Sequence, residues 1–236
     1  MNNAEAMNTI INEYNKGISE SKKVKLISEK IKNKTATYAD AYEYARESSA
    51  IMSGSMKKNL PRVLTNGNLY RDTANQVLKK PLIRGSKDVM STTAKIQNNL
   101  NEIANIGINA VYPEVNEDYI NGIINGICNA ESFEAGAENL FDGIENYLEG
   151  IIDDFVHDNA EFHYQAGLSP KIIRQAAAGC CKWCSALGGT YEYEKVRNTG
   201  NDVFRRHKNC HCIVLYDPAD GAKNRQNVHT KRFEST

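Results

Sequence analysis

The chain has 236 residues, of which 41% are hydrophobic and 25% charged. Those are globular proportions for one large domain or two small ones, and they exclude wholesale disorder and collagen-like repeats. No run of about 18 apolar residues occurs, which excludes a helical membrane span, and the N-terminal MNNAEAMNTIINEYN lacks the basic start and apolar centre of a secretory leader.

The net charge is zero, but it is distributed in blocks. Residues 1–90 hold 16 Lys/Arg against 9 Asp/Glu, residues 91–166 hold 1 against 14, and residues 167–236 hold 12 against 6. A chain blocked as basic, acidic and basic can attract a second copy of itself, making a homo-oligomer an option. It also offers differently charged faces to different partners.

Helical periodicity dominates the first 175 residues. Met7, Ile10, Ile11, Tyr14 and Ile18 recur on one face, and the Lys-rich SKKVKLISEKIKNK continues as helix. Thr37 and Asp40 form a capping-box pair that opens the next helix, in which Tyr38, Ala41, Tyr42, Ala45, Ser49, Met52 and Met56 share the core face. Pro61, Asn66-Gly67, Pro81 and Gly85 punctuate residues 59–88, predicting loops around short helical turns. A helix over about 89–105 then stops in NIGINAVYP, where Pro113 blocks continuation.

Tyr119, Ile120, Ile123, Ile124 and Ile127 make one further apolar stripe. Leu140, Phe141, Ile144, Leu148, Ile151, Ile152 and Phe155 make another. Glu138, Asp142, Glu145, Glu149 and Asp153 take the opposite face of that last helix. They read as a solvated row rather than an active site, because acid–base catalysis needs carboxylates in unlike environments converging on a cleft. His157 and His163 read as surface or capping residues. Ser169-Pro170 predicts a helix start, with KIIRQAAA closing at Gly179.

After Gly179 the pattern changes. GTYEYEKV and CIVLY predict two short strands, and the tail from Asp217 is polar and turn-rich. The expected fold is therefore mainly α, α+β overall. It comprises a helical body (1–178), a small β-containing metal knuckle (179–216) and a polar C-terminal tail (217–236).

The chemistry lies in CCKWCSALGGTYEYEKVRNTGNDVFRRHKNCHC. Cys181-x-x-Cys184 places two thiolates close enough to share one metal, and His207-x-x-Cys210-x-Cys212 returns a second set of donors. Zinc suits this sulfur and imidazole set. Four protein ligands would close the site and make the metal structural rather than catalytic. Cys180 can substitute for Cys181, and on the return side Cys210 pairs with either His207 or Cys212. A segment of about 35 residues with few large apolar groups is too small to fold on burial alone, so residues 180–216 are expected to need the metal. His211, between two candidate ligands, should point away from them. Arg205, Arg206 and Lys208 are placed either to meet phosphates or simply to be solvated. Trp183 is expected to pack the knuckle against the helical body.

The order C-x-x-C, a short Gly-Gly/Tyr strand, H-x-x-C-x-C and an apolar strand resembles the C-terminal region of MuF-type phage minor head proteins, the phage head morphogenesis family. HYQAGLSPKIIRQAAAGCCKWCSALGGTYEY and FRRHKNCHCIVLYDPADGAKNRQNVHTKRF resemble the versions carried by phages and prophages of low-GC Gram-positive bacteria. NEIANIGINAVYPEVNEDYINGI looks similar with weaker motifs. The resemblance maps Cys181, Cys184, His207, Cys210 and Cys212 onto the family's motif. It departs at Lys208-Asn209, where the family often has Pro-Asn, and at His211, where it often has Arg.

The resemblance implies a virion component present in few copies at the portal vertex and capsid interior, and in the host cytoplasm during assembly. Such a protein has no catalysis of its own. It would contact the portal protein, a major capsid or scaffold protein and phage DNA, and it would assist head assembly or DNA packaging and delivery. Two alternatives come from the residues themselves. One is an HNH-like nuclease using Arg205, Arg206, His207 and His211. The other is a zinc-braced nucleic-acid-binding module.

Overall fold

The structure, a computed structural model, describes residues 1–198 and 202–217. The tail from Pro218 onward lies outside the described residues. A first helical hairpin comprises α1 (Asn3–Glu20) and α2 (Lys22–Lys32). Three long helices follow, α3 (Tyr38–Asn59), α4 (Arg71–Ile103) and α6 (Phe133–Gln165), with α5 (Glu117–Cys128) between the last two. The C-terminal part holds β1 (Lys171–Gln175), a short α7 (Lys182–Ala186), β2 (Gly189–Glu192), a one-turn α8 (Tyr193–Val196) and β3 (Ile213–Asp217). The mainly α, α+β architecture is as expected. No helix among the described residues is long and apolar enough to cross a membrane.

The predicted stripes bury as periodicity requires. All seven named residues of α3 are buried, as are Ile120, Ile123, Ile124 and Ile127 of α5 and Leu140, Ile144, Leu148, Ile151, Ile152 and Phe155 of α6. The cap pair also forms, since the Asp40 carboxylate accepts the Thr37 backbone N–H at 2.9 Å and pairs with Lys30 at 2.6 Å.

Two expectations need correction. Residues 71–88 are not loops but the first half of α4, with Pro81 inside the helix. Pro81 and Gly85 are both buried on the core-facing side. A Cβ on Gly85 would lie 2.7 Å from Met52 Cε and 3.6 Å from Leu148, so this glycine permits close helix packing rather than marking a turn. Residues 171–175 are not a helix but the central strand of a three-stranded antiparallel sheet of order β2-β1-β3. Ile172 faces Tyr191 on one side and Tyr216 on the other, and Arg174 faces Val214. Alternation decides the outcome, because Ile172 and Arg174 bury while their neighbours are more open. The sheet thus begins before residue 179, and EKV at the end of the predicted strand GTYEYEKV instead lies in α8.

The sheet joins the body through β3, against α3 and α6. Ile172, Val214 and Tyr216 belong to the same apolar core as the helices. Here the acidic face of α6 departs from its expected solvation, since Glu149 is 0% and Asp153 2% exposed.

Candidate metal centre

The N-terminal end of α7 forms the first half of the site. Cys181 caps the helix, its Sγ accepting the Cys184 backbone N–H at 3.4 Å, so the C-x-x-C turn brings both sulfurs to one side. The second half is the turn His207–Cys210. It is closed by the Cys210 N–H donating to the His207 carbonyl at 3.2 Å, with Asn209 in the left-handed region at φ 58°. Asn tolerates that conformation better than most residues.

These turns bring together all five predicted donors. His207 Nε2 lies 3.3 Å from Cys181 Sγ and 3.0 Å from Cys184 Sγ, and Cys184 Sγ lies 3.6 Å from Cys210 Sγ. A metal about 2.3 Å from each sulfur sets tetrahedral sulfur–sulfur edges of roughly 3.8 Å. The separations are of that scale. The donors fall into two triads, Cys181/Cys184/His207 and Cys184/Cys210/Cys212, each with its ligand atoms within 4.8 Å of one another. Cys184, Cys210 and Cys212 are buried and pack with Ala177 and Cys180 as a small cluster apart from the main core. Cys128 lies elsewhere, on α5.

Three outer contacts suit the donors to a cation. His207 Nδ1 lies 2.7 Å from the Lys208 carbonyl oxygen. A carbonyl only accepts, so Nδ1 carries the hydrogen and Nε2 presents its lone pair to the sulfurs. The Ala177 N–H points at Cys212 Sγ at 3.3 Å. Arg174, 2% exposed, aims Nη2 at Cys210 Sγ (3.8 Å) and Cys184 Sγ (4.0 Å), its Nη1 donates to the Val203 carbonyl, and its Nε has no partner. A guanidinium stays charged, and among the described residues this one faces the sulfurs of Cys184 and Cys210 and the Val203 carbonyl rather than a carboxylate.

The electrostatics agree. The Cys184 N–H helps hold Cys181 below the usual thiol range, whereas burial, with the thiols of Cys210 and Cys212, pushes Cys184 upward. Gathering thiolates in a buried cluster is costly without a cation and favourable with one. The cluster is therefore compatible with a bound metal ion.

Arg174 is the site residue that sequence reasoning missed. Its signal was the i, i+2 alternation of Ile172 and Arg174, masked by the helical look of QAAA. Trp183 is 38% exposed. It stands edge-on to His207 at 5.7 Å and near the Arg174 guanidinium at 5.9 Å, covering the cluster.

Arg206 is neither solvated nor available to a phosphate. Its side chain is 7% exposed and bonds Glu149 Oε2 at 2.6 Å and Asp153 Oδ2 at 2.8 Å. It also donates to the carbonyls of Cys210 and, at 3.0 Å, Cys212. Arg46 completes the network by donating to Glu149 and to the His211 carbonyl, the latter at 3.1 Å. Tyr42 donates to Asp153 at 2.5 Å and accepts the Val214 N–H at 3.0 Å. The acidic face of α6 thus grips the backbone of residues 210–212 through two arginines.

His211 points away from the sulfurs, as expected, and pairs with Glu145 at 3.7 Å. Glu145, Glu149 and His211 also lie within 4.8 Å of one another, but Arg46 and Arg206 already neutralise Glu149. Lys208 pairs with Asp142 at 3.5 Å and Arg205 with Asp202 at 3.0 Å. His163 is fully buried, not a surface residue. Its Nδ1 bonds the Tyr216 hydroxyl, and burial lowers its pKa to about 4. His157 is the more open of the two, beside Asp158 at 3.1 Å.

No family model, no curated protein and no solved structure matches the chain.

Proposed function

We propose that this chain is a non-catalytic structural protein of a MuF-type phage head, with zinc stapling its C-terminal unit. The observation that carries the reading is the convergence of Cys181, Cys184, His207, Cys210 and Cys212 in one cluster, in the order and spacing that the family resemblance rests on. Zinc is the metal of choice for a mixed thiolate and imidazole set that needs no redox change. The protein supplies enough donors to close the coordination sphere, which suits a staple rather than a reaction centre.

The partners are the portal protein and a major capsid or scaffold protein, with phage DNA as a further contact inside the head. The protein works at the portal vertex during assembly or DNA delivery. The nuclease alternative has less support, because Arg206 is committed to Glu149 and Asp153 and His211 to Glu145. The test is mass spectrometry of purified particles from a host expressing the intact gene cluster. The expected result is this chain at a few copies per particle together with stoichiometric zinc in the purified protein. Absence from the particles refutes the head assignment.

A further inference from the structure

A polar cavity of about 170 Å³ lies where α5, α6 and the segment carrying Phe204 and Arg206 meet. Its α6 wall is Asn146, Gly150 and Asp154, successive residues four apart and so on one face of the helix. Tyr119 of α5, with Phe204 and Arg206, closes the other sides. Gly150 keeps the space open, since a Cβ there would meet nothing within 4 Å. Asp154 also lines an adjoining cleft of about 460 Å³, which carries Glu114, Glu117, Asp118 and Asp158.

Two groups on this wall are unmatched. Asn146 is 8% exposed, yet among the described residues its amide makes no hydrogen bond. The unpartnered side-chain atoms sealed inside the protein are those of His163 and Arg174, so the Asn146 amide opens instead into the cavity it lines. Asp154 stands open to solvent at the mouth. Desolvation by the surrounding protein, then the charges of Asp153 and Asp158, pushes its carboxyl up to about 6.

The cleft calls for positive charge. Glu117 pairs with Lys79 at 2.8 Å and Asp158 with His157 at 3.1 Å, but Glu114, Asp118 and Asp154 have no ion pair among the described residues. Arg206 does not neutralise them, because Glu149 and Asp153 already hold it. Nor do these carboxylates gather as a metal site. Among the described residues, no three of them bring ligand atoms within 4.8 Å of one another. Spaced carboxylates suit spaced charges better than one compact ion. Tyr119, Tyr147 and Phe204 add aromatic walls, which attract an ammonium.

We propose that the cavity and its cleft bind a linear polyamine. One terminal ammonium donates to the Asn146 carbonyl oxygen and to Asp154, and the remaining amines lie along Glu114 and Asp118.

The test is equilibrium dialysis of the full-length protein against radiolabelled spermidine, with magnesium and a lysine-bearing peptide as competitors at constant ionic strength. The expected result is one spermidine per chain. Asn146→Leu and Asp154→Asn should each weaken it about 10–100-fold, the worth of one charge-assisted hydrogen bond. Glu138→Gln, which removes an exposed α6 carboxylate away from the cavity, should leave the affinity unchanged. Should Asn146→Leu fail to fold, the surface variant Asp154→Asn and the space-filling Gly150→Leu carry the same conclusion. No retained spermidine overturns the proposal. So does an affinity indifferent to Asp154→Asn, or magnesium competing as well as spermidine itself, since either marks a diffuse acidic surface. A peptide that binds more tightly than spermidine overturns the polyamine as the occupant.

Discussion

Replacing Arg206 with methionine tests whether the acidic face of α6 docks the 210–212 backbone or merely lies beneath it. The substitution keeps much of the buried volume and removes the charge. It leaves Glu149 without its 2.6 Å partner and Asp153 without bonds of 2.8 and 3.3 Å, and it frees the carbonyls of Cys210 and Cys212. Both carboxylates stay buried. Arg46 still reaches Glu149 and Tyr42 still reaches Asp153, so the loss is partial for each. Removing one partner of a buried ion network costs about 3–5 kcal/mol, because the remaining charge is left uncompensated. In a chain of this size that corresponds to a Tm lower by about 6–20 °C in calorimetry.

The pH dependence identifies the cause. Burial already raises the Glu149 carboxyl pKa and Arg206 lowers it. Without Arg206 the folded-state pKa rises further above the unfolded value, so the variant's folded state binds a proton that its unfolded state does not. The deficit is then largest near pH 7 and shrinks as pH falls toward 5. The triple variant Arg206→Met/Glu149→Gln/Asp153→Asn should recover most of the loss. A deficit below about 1 kcal/mol, the worth of a surface pair, would refute the buried-network argument, as would a deficit that does not change with pH.

Other perturbations separate the remaining claims. His163 is buried neutral with a pKa near 4, so the unfolded state takes up its proton first on acidification; stability present above about pH 6.5 should be lost as pH falls to 4, by roughly 3 kcal/mol. A His163→Gln variant should lose that part of the urea-midpoint pH profile. Gly136→Ala should destabilise by about 1–3 kcal/mol despite better helix propensity, since the new Cβ would sit 2.7 Å from both Ala130 Cβ and Ile127 Cδ1. Gly150→Ala, in the same helix with nothing within 4 Å, should stabilise by about 0.5–1 kcal/mol, and denaturant midpoints compare the two directly. Arg174→Gln should weaken zinc in a chelator competition by about 10–100-fold, since it removes the guanidinium aimed at the Cys184 and Cys210 sulfurs.

What could be read from the sequence was whatever is written locally. Apolar stripes at helical spacing located the core faces of α3, α5 and α6, and the donor spacing located the Cys/His cluster, because a C-x-x-C turn carries its own geometry. What could not be read depends on distant partners. Glu149 and Asp153 look like a solvated face because nothing within a few turns neutralises them. The arginine that does so arrives 57 and 53 residues later, immediately before the turn that carries His207 and Cys210. The central strand was hidden for a similar reason. KIIRQAAA has acceptable helix formers, and only its pairing with β2 and β3, both later in the chain, makes alternation the stronger pattern. Pro81 does not end α4, since a proline removes one hydrogen bond and costs about 3 kcal/mol in a helix, a loss that 33 residues of packed helix can absorb.

The same wiring predicts that metal removal is felt beyond the ligand-bearing clasp, residues 180–217. Arg206 makes two kinds of contact at once, with carboxylates of α6 and with carbonyls of the candidate ligands Cys210 and Cys212. Those carbonyls belong to the same residues as the candidate ligand sulfurs, so freeing the sulfurs loosens the backbone that Arg206 holds. Chelation removes apparent binding free energy on the order of 10–16 kcal/mol, if the site behaves like other small structural zinc modules. The direct effect is loss of amide protection over residues 180–217. The indirect effect runs through Arg206. Once its carbonyl acceptors move, the guanidinium is less firmly held and Glu149 and Asp153 lose compensation, so protection should also fall around 149–156 of α6. Helices α1 and α2, which share no residue with this network, should keep theirs. Arg206→Met should abolish the α6 response to chelator while leaving the response of residues 180–217. Hydrogen exchange on the full chain reads all three regions in one experiment, and an α6 segment indifferent to metal in the wild type shows that clasp and body are separate folding units.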